Sequence, residues 1–264
     1  IITKRKNLSS EHTYSGIRFI ILVASLLLIA GCNRDEPGTI PPPGPVVKGL
    51  EIVSTLSISV SEPSALAFNH IDSTLYTVSD GNAAYYKFNF NGMMLATIPI
   101  SGSDLEGIVL SQNCDTIYVV QEAKQLVTAF RLDGTLLNSF PVKVATSISS
   151  SLEGITIDNH GNLVVINEKD PMMVLKFNKT SEIFRKTLSY SLDISDICYD
   201  KLTNCFWIVS DESRTVLKLS ETFELIATYT INVPKAEGIL VLGDKIYIVS
   251  DSESKMYVYK KPSN

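Results

Sequence analysis

Histidine is nearly missing from this chain: there are three, His12, His70 and His160, in 264 residues. That leaves little room for imidazole-based zinc chemistry, and no Ser–His–Asp set is discernible. Cysteine is sparse too, and four irregularly spaced copies cannot form a disulfide framework. No block rich in Lys and Arg follows the first few residues, and 28 acidic against 23 basic residues give a net charge of −5. Both facts argue against a nucleic-acid-binding surface. A phosphate-cradling glycine loop and an HExxH motif are absent from the sequence. No apolar run approaches the roughly 20 residues of a spanning helix, and helical periodicity hardly occurs. Apolar residues themselves are plentiful, at 45%, which excludes disorder over most of the length and permits a substantial core.

The first residues read as an address. Lys4, Arg5 and Lys6 precede an apolar run of 12, Phe19 to Ala30, which leads into Ile29-Ala30-Gly31-Cys32. A basic start and a short apolar core are the marks of a secretory signal peptide, here over residues 1–31. Small residues just before a cysteine resemble the lipobox of bacterial lipoproteins, which implies cleavage before Cys32 and lipidation of that residue. A signal-anchor that happens to end in cysteine is the alternative. Asn33 resembles an outer-membrane sorting residue, and Arg34-Asp35-Glu36 resembles the surface-export signals of some Gram-negative lipoproteins. The expected location is therefore the bacterial outer membrane, on its periplasmic or its outer surface, with the membrane itself as partner through the N-terminal lipid. Pro37 to Pro45 holds five of the 11 prolines, a stiff and extended composition. Residues 32–48 accordingly read as a tether and 49–264 as the folded domain. The signal segment carries Lys4, Arg5, Lys6, Arg18 and Glu11, so 19 basic and 27 acidic residues would remain without it, a net −8.

The domain repeats itself. Pro63-Ser64-Ala65-Leu66, Leu105-Glu106-Gly107-Ile108, Leu152-Glu153-Gly154-Ile155, Ile194-Ser195-Asp196-Ile197 and Ala236-Glu237-Gly238-Ile239 align at intervals of 42, 47, 42 and 42 residues. A period near 40 with short strands predicts a β-propeller, one four-stranded blade per repeat. Within each unit a short apolar strand is followed by a polar turn, as at Asp158 to Asn162. A strongly β-branched second strand comes next, such as Leu163-Val164-Val165-Ile166. Asn91-Gly92 and Asp133-Gly134 sit where a later hairpin needs positive φ. The fifth unit has only three strands, ending in Met256-Tyr257-Val258-Tyr259, while Leu50 to Ser59 reads as one lone strand before the first unit. That strand can fill the missing outer place of the fifth blade and leave the ring without a free seam. The prediction is an all-β, five-bladed, monomeric propeller closed by its N-terminal strand.

Acids recur in step. The second position of the repeat start is Ser64, Glu106, Glu153, Ser195 and Glu237, and the second strand ends in Asp80, Glu122, Glu168, Asp211 and Asp251. Two antiparallel strands and one turn separate the two positions, so both fall at the same end of the sheet. The first strand of a propeller blade lines the central channel, and eight carboxylates should therefore crowd one mouth. At an effective dielectric near 20, two charges about 4 Å apart repel by about 4 kcal/mol. Such a cluster either takes up protons or holds a cation. A donor set made only of oxygens suits Ca²⁺. Two other readings stay open: the strand-end acids are solvated loop residues, or the glutamates cap main-chain donors of neighbouring blades. Glycines 107, 154 and 238 allow close backbone approach where the inner strands crowd. His70 and His160 fall in first-hairpin turns, on the opposite face. Cys198 and Cys205 flank one hairpin out of register, since Cys205 should face Asp200, so buried thiols fit better than a disulfide. Trp207, on an apolar strand, reads as core.

The recurrent Leu-Glu-Gly-Ile start, the Ile-Val-Ser-Asp strand ends at 208–211 and 248–251, and Asn167-Glu168-Lys169-Asp170-Pro171 resemble the SdiA-regulated domain family over roughly Leu50 to Lys260. The resemblance implies a five-bladed propeller related to NHL-repeat and gluconolactonase-like propellers, with a calcium site. On the matching motif positions it implies Glu106, Glu153 and Glu237 as calcium ligands, with Glu122 and Glu168 behind them. Ser64 and Ser195 depart from the acidic pattern and point to a lopsided site. Two functions follow: a non-catalytic, calcium-binding module recognising an envelope protein or small ligand, or a calcium-dependent hydrolase of lactones or phosphoesters.

Overall fold

The structure, a computed structural model, describes residues 47–144 and 151–263. The expected signal peptide, Cys32 and nearly all of the tether lie outside the described residues. No helix occurs among those described, and none is long and apolar enough to cross a membrane.

Among the described residues, twenty-one strands follow one another. The first two are β1 (Val47–Gly49) and β2 (Ile52–Ser57). Blade one is β3 (Ala67–Asn69), β4 (Thr74–Ser79), β5 (Asn82–Phe88) and β6 (Met94–Pro99). Blade two is β7 (Leu105–Leu110), β8 (Thr116–Gln121), β9 (Leu126–Arg131) and β10 (Leu136–Pro141). Blade three is β11 (Leu152–Ile157), β12 (Leu163–Asn167), β13 (Met173–Asn178) and β14 (Ser181–Thr187). Blade four contains β15 (Asp196–Asp200), β16 (Cys205–Ser210), β17 (Thr215–Leu219) and β18 (Leu225–Thr230). Blade five is β19 (Ala236–Leu242), β20 (Lys245–Ser250) and β21 (Lys255–Lys260), completed on its outside by β2.

The ring therefore closes as the repeat count requires. β2 pairs antiparallel with β21, Ile52 opposite Tyr259 and Ser57 opposite Lys255. One strand was not anticipated: β1 lies parallel to β18 and gives blade four a fifth strand, with Val47 opposite Thr228. Val47 and Lys48, read from the sequence as tether, thus pair with blade four. A three-residue strand carries too little pattern to be read from sequence.

Burial explains why each strand sits where it does. The second strands are continuous β-branched and aromatic runs, and β4, β12 and β16 are buried along their whole length. Such strands lie between two neighbouring blades and have no solvent face. The outermost strands alternate, as β6 does, or are mostly exposed, as β10 is. Trp207, Phe206 and Phe130 are fully buried between blades. Cys205 faces Asp200 and Cys198 faces Trp207, so the two thiols are out of register as expected, and Cys114, Cys198 and Cys205 are free and buried.

Candidate cation site at the channel mouth

Five inner strands, β3, β7, β11, β15 and β19, bring their N-terminal ends to one mouth of the channel. Ser64, Glu106, Glu153, Ser195 and Glu237 come from these strands or the residues just before them. They line a polar cavity of about 270 Å³ together with Asp80, Glu122, Glu168, Asp211 and Asp251, which lie just past the ends of the second strands. All eight carboxylates expected at this mouth are in its wall.

The floor of the cavity is a neck. Ala65, Gly107, Gly154, Asp196 and Gly238 occupy the next position along the five chains. A Cβ added to Gly154 would lie 2.5 Å from Asp196 Oδ1 and 2.7 Å from its Cα. At Gly107 it would meet the carbonyl oxygen of Glu153 at 2.5 Å. The glycines therefore let adjacent inner strands touch through their backbones. Blade four places aspartate where the others place glycine or alanine. Its Oδ2 accepts the Ile239 amide of blade five at 2.9 Å, and its Oδ1 is buried without a hydrogen-bond partner. Burial drives the Asp196 carboxyl well above the usual carboxylate range, against the nearby amides of Ile239, Ile197 and Leu66.

Ligand-type oxygens converge unevenly. They come within 4.8 Å of one another in three overlapping sets: Asp104, Glu106 and Glu122; Glu122, Glu153 and Glu168; Glu168, Asp193 and Glu212. These run from blade two through blade three to blade four. Glu237 shares the cavity but belongs to none of these sets among the described residues; the Lys235 ammonium lies 4.0 Å from it. The site is lopsided, but not as Ser64 and Ser195 alone would make it: blade four contributes Asp193 and Glu212, and blades one and five are on the sparse side.

Two residues of these sets, Asp104 and Asp193, were missed in the sequence. Asp104 and Asp193 each stand two positions before the second residue of their repeat, a register that holds Glu62 in blade one and Lys235 in blade five. Three acids in five at one offset was a legible signal. Glu212 lies in the loop after β16 and carries no such mark.

The outer carboxylates are already held in place. Glu122 Oε1 accepts the Ser151 amide at 2.9 Å, and Asp104 Oδ2 accepts the Ala123 amide at 2.9 Å. Lys169 bridges Glu168 at 2.9 Å and Glu212 at 2.7 Å. Both oxygens of Asp193 accept the Glu212 amide at 3.2 Å, and the Ser210 hydroxyl donates to Asp193 as well. The inner carboxylates of Glu106 and Glu153 accept no main-chain hydrogen bond among the described residues. Amide capping therefore describes Glu122, Asp104 and Asp193 but not these two.

Electrostatics follow from that arrangement. Burial, then Asp80 and Glu122, push Glu106 up to about 8. Burial, then Glu106 and Glu122, raise Glu153 well above its ordinary value. Burial lifts Glu237 to about 7 against the pull of Lys235. Burial likewise raises Glu122, Glu168 and Asp251. Each of these groups is short of positive charge or of protons. Asp251 Oδ1 is moreover buried with no hydrogen-bond partner.

A ring of five blades with an acid-walled channel mouth defines the class: a β-propeller built to gather carboxylates on its axis. The chain belongs to the SdiA-regulated family, whose model matches residues 51–260. No curated protein matches it in sequence. Among solved structures it is similar to the glutaminyl cyclase of Myxococcus xanthus, at 11% identity and a TM-score of 0.67, over 82% of this chain and 97% of that one. It is also similar to a streptogramin B lyase, at 14% identity and a TM-score of 0.50, over 80% of this chain and 73% of that one. A Bacteroides caccae protein of unknown function resembles it at 10% identity and a TM-score of 0.53, over 70% of this chain and 69% of that one. At these identities the likeness establishes the fold alone.

Proposed function

We propose that this protein is a lipid-anchored, calcium-binding propeller of the bacterial outer membrane, acting as a binding module for an envelope protein or a small ligand. The observation that carries the reading is the set Glu122, Glu153 and Glu168, whose oxygens lie within 4.8 Å of one another in a cavity walled by eight or more acids. The donor set fits Ca²⁺: it is all oxygen, several-sided and rich in charge, with no histidine or cysteine. The uncapped Glu106 and Glu153 are the unmet acceptors such an ion satisfies. Glu153 sits at the centre of the set, Glu122 and Glu168 flank it with orientations fixed by Ser151 and Lys169, and Glu106 adjoins on the blade-two side. Glu237 plays a lesser part. The bound ion would supply positive charge that lets these groups ionise together and would present an open coordination side to a ligand entering the mouth. The lipid anchor rests on Cys32 and its preceding motif.

Isothermal titration with CaCl₂ at pH 7.5 tests the ion. A single site with proton release is expected, and its loss in Glu153→Gln locates it; no heat in the intact protein would refute the reading. Radiolabelled palmitate incorporated into the wild type but not into Cys32→Ala tests the anchor.

One observation favours the hydrolase as a second reading. Glu106, buried and crowded by Asp80 and Glu122, is pushed up to about 8, so it can carry a proton near neutral pH as a general acid must. Turnover of a lactone or phosphoester panel, abolished by Glu153→Gln in a folded protein, would select it.

A further inference from the structure

The other mouth of the channel holds side chains that the proposed ion site does not use. A cavity of about 630 Å³ opens there, walled chiefly by aliphatic residues that include Leu66, Leu110, Leu240 and Leu242. Two of its lining residues touch: Cys114 Sγ lies 3.1 Å from His70 Nδ1. They come from first-hairpin turns of adjacent blades, His70 between β3 and β4 and Cys114 between β7 and β8. Cys114 is only 3% exposed, and it is held in the left-handed region at φ 52° with its amide donating to the Ser111 carbonyl. His70 is exposed. The thiol therefore belongs to the cavity wall while the imidazole reaches water. Cys198 lines the same cavity but is differently placed: its sulfur accepts the Val241 amide at 3.3 Å and, among the described residues, has no histidine beside it.

A thiol in contact with an imidazole is a nucleophile together with its base. We propose that Cys114 and His70 form a nucleophilic site for esters or thioesters of apolar acyl groups, with the acyl chain lying in the cavity. His70 Nδ1 takes the thiol proton as Sγ bonds to the carbonyl carbon. The bond from that carbon to the leaving oxygen or sulfur then breaks, and the leaving group takes the proton from His70. The acyl group stays on Cys114 as a thioester. Water attacks this thioester and passes a proton through His70 to the departing sulfur, so the acid leaves and the free thiol returns. The mouth selects apolar acyl groups because its wall removes their methylenes from water. Each methylene buried should raise the acylation rate about fourfold until the cavity is filled.

The test uses the folded protein in EDTA with p-nitrophenyl esters of two to eight carbons, following p-nitrophenolate release and the mass of the acyl adduct. Expected are an adduct mapped to Cys114, a rate that climbs with chain length, its loss in Cys114→Ser and a fall of about 100-fold in His70→Gln. His70 is exposed, so His70→Gln carries the test even if Cys114→Ser does not fold. Insensitivity to EDTA separates this site from a metal-dependent one at the acidic mouth. The proposal is overturned by the absence of an adduct, by an adduct on another residue, by an unchanged rate in His70→Gln, or by a rate indifferent to chain length.

Discussion

The two mouths of the channel are made from the same five strands and are chemically opposite. One end gathers ten carboxylates around a polar cavity; the other is walled chiefly by aliphatic side chains. The change happens within two or three residues, as from Glu153 through Gly154 to Ile155, or from Glu237 through Gly238 to Ile239. Between the ends stands the neck of glycines and Asp196, where backbone meets backbone and little space is left. The lesson is that a short inner strand can serve two environments if its middle residue is small enough to shut the passage between them. Charge gathered on one side is then kept away from the apolar wall on the other.

The largest effect should come from breaking the neck. In Gly154→Ala the new Cβ meets Asp196 at 2.5 Å and 2.7 Å, and neither the Asp196 backbone nor its buried carboxyl can easily yield. A loss of about 3 kcal/mol is expected, a fall in Tm of roughly 10 °C. A variant that melts like the wild type would show that the inner strands are not locked together there.

Next in size is the response of the acidic mouth to calcium. At about 100 times the dissociation constant, binding to the folded state alone adds about 2.7 kcal/mol, or roughly 5–10 °C in Tm. Replacing Glu122, Glu153 and Glu168 together by Gln should remove the whole shift.

The same mouth sets a pH dependence in metal-free protein. Glu106, at about 8, and Glu237, at about 7, keep protons in the folded state that they release at their ordinary value of 4.5 once unfolded. Between about pH 4.5 and 8 the folded state therefore binds more protons, and stability falls as pH rises. In EDTA the Tm should drop by at least several degrees from pH 5 to pH 8, and calcium should flatten that slope. A Tm that climbed over the interval would contradict the crowding of buried acids.

The smallest expected effect sharpens the asymmetry within the acidic mouth. Glu237→Gln should weaken calcium binding by less than about threefold, and Glu153→Gln by more than about tenfold, both read by titration calorimetry. Each tenfold corresponds to about 1.4 kcal/mol. Equal losses would mean that the ion sits on the axis rather than against blades two to four.

Much of this was legible in the sequence because it repeats. The aligned starts at Ser64, Glu106, Glu153, Ser195 and Glu237 fix five blades, and the three-stranded fifth unit demands a strand from elsewhere, which β2 supplies. The shared register of strand-one and strand-two acids places them at one mouth. What escaped is what departs from the repeat. Asp196 stands where the other blades carry glycine or alanine, so alignment hides it behind Ser195. Asp193 and Asp104 answer to a different offset. The contact between Cys114 and His70 joins residues 44 apart in separate blades, and no local motif marks it.

The closure of the ring has a mechanical consequence. Everything preceding Val47 enters the domain through β1, which lies along β18, and then through β2, which lies along β21. A pull exerted from the N-terminal side would load first the β1–β18 hydrogen bonds and only after them the β2–β21 bonds that close the ring. The seam would thus double as the point of suspension, and its resistance to shear would decide how hard the protein could be tugged before it opened.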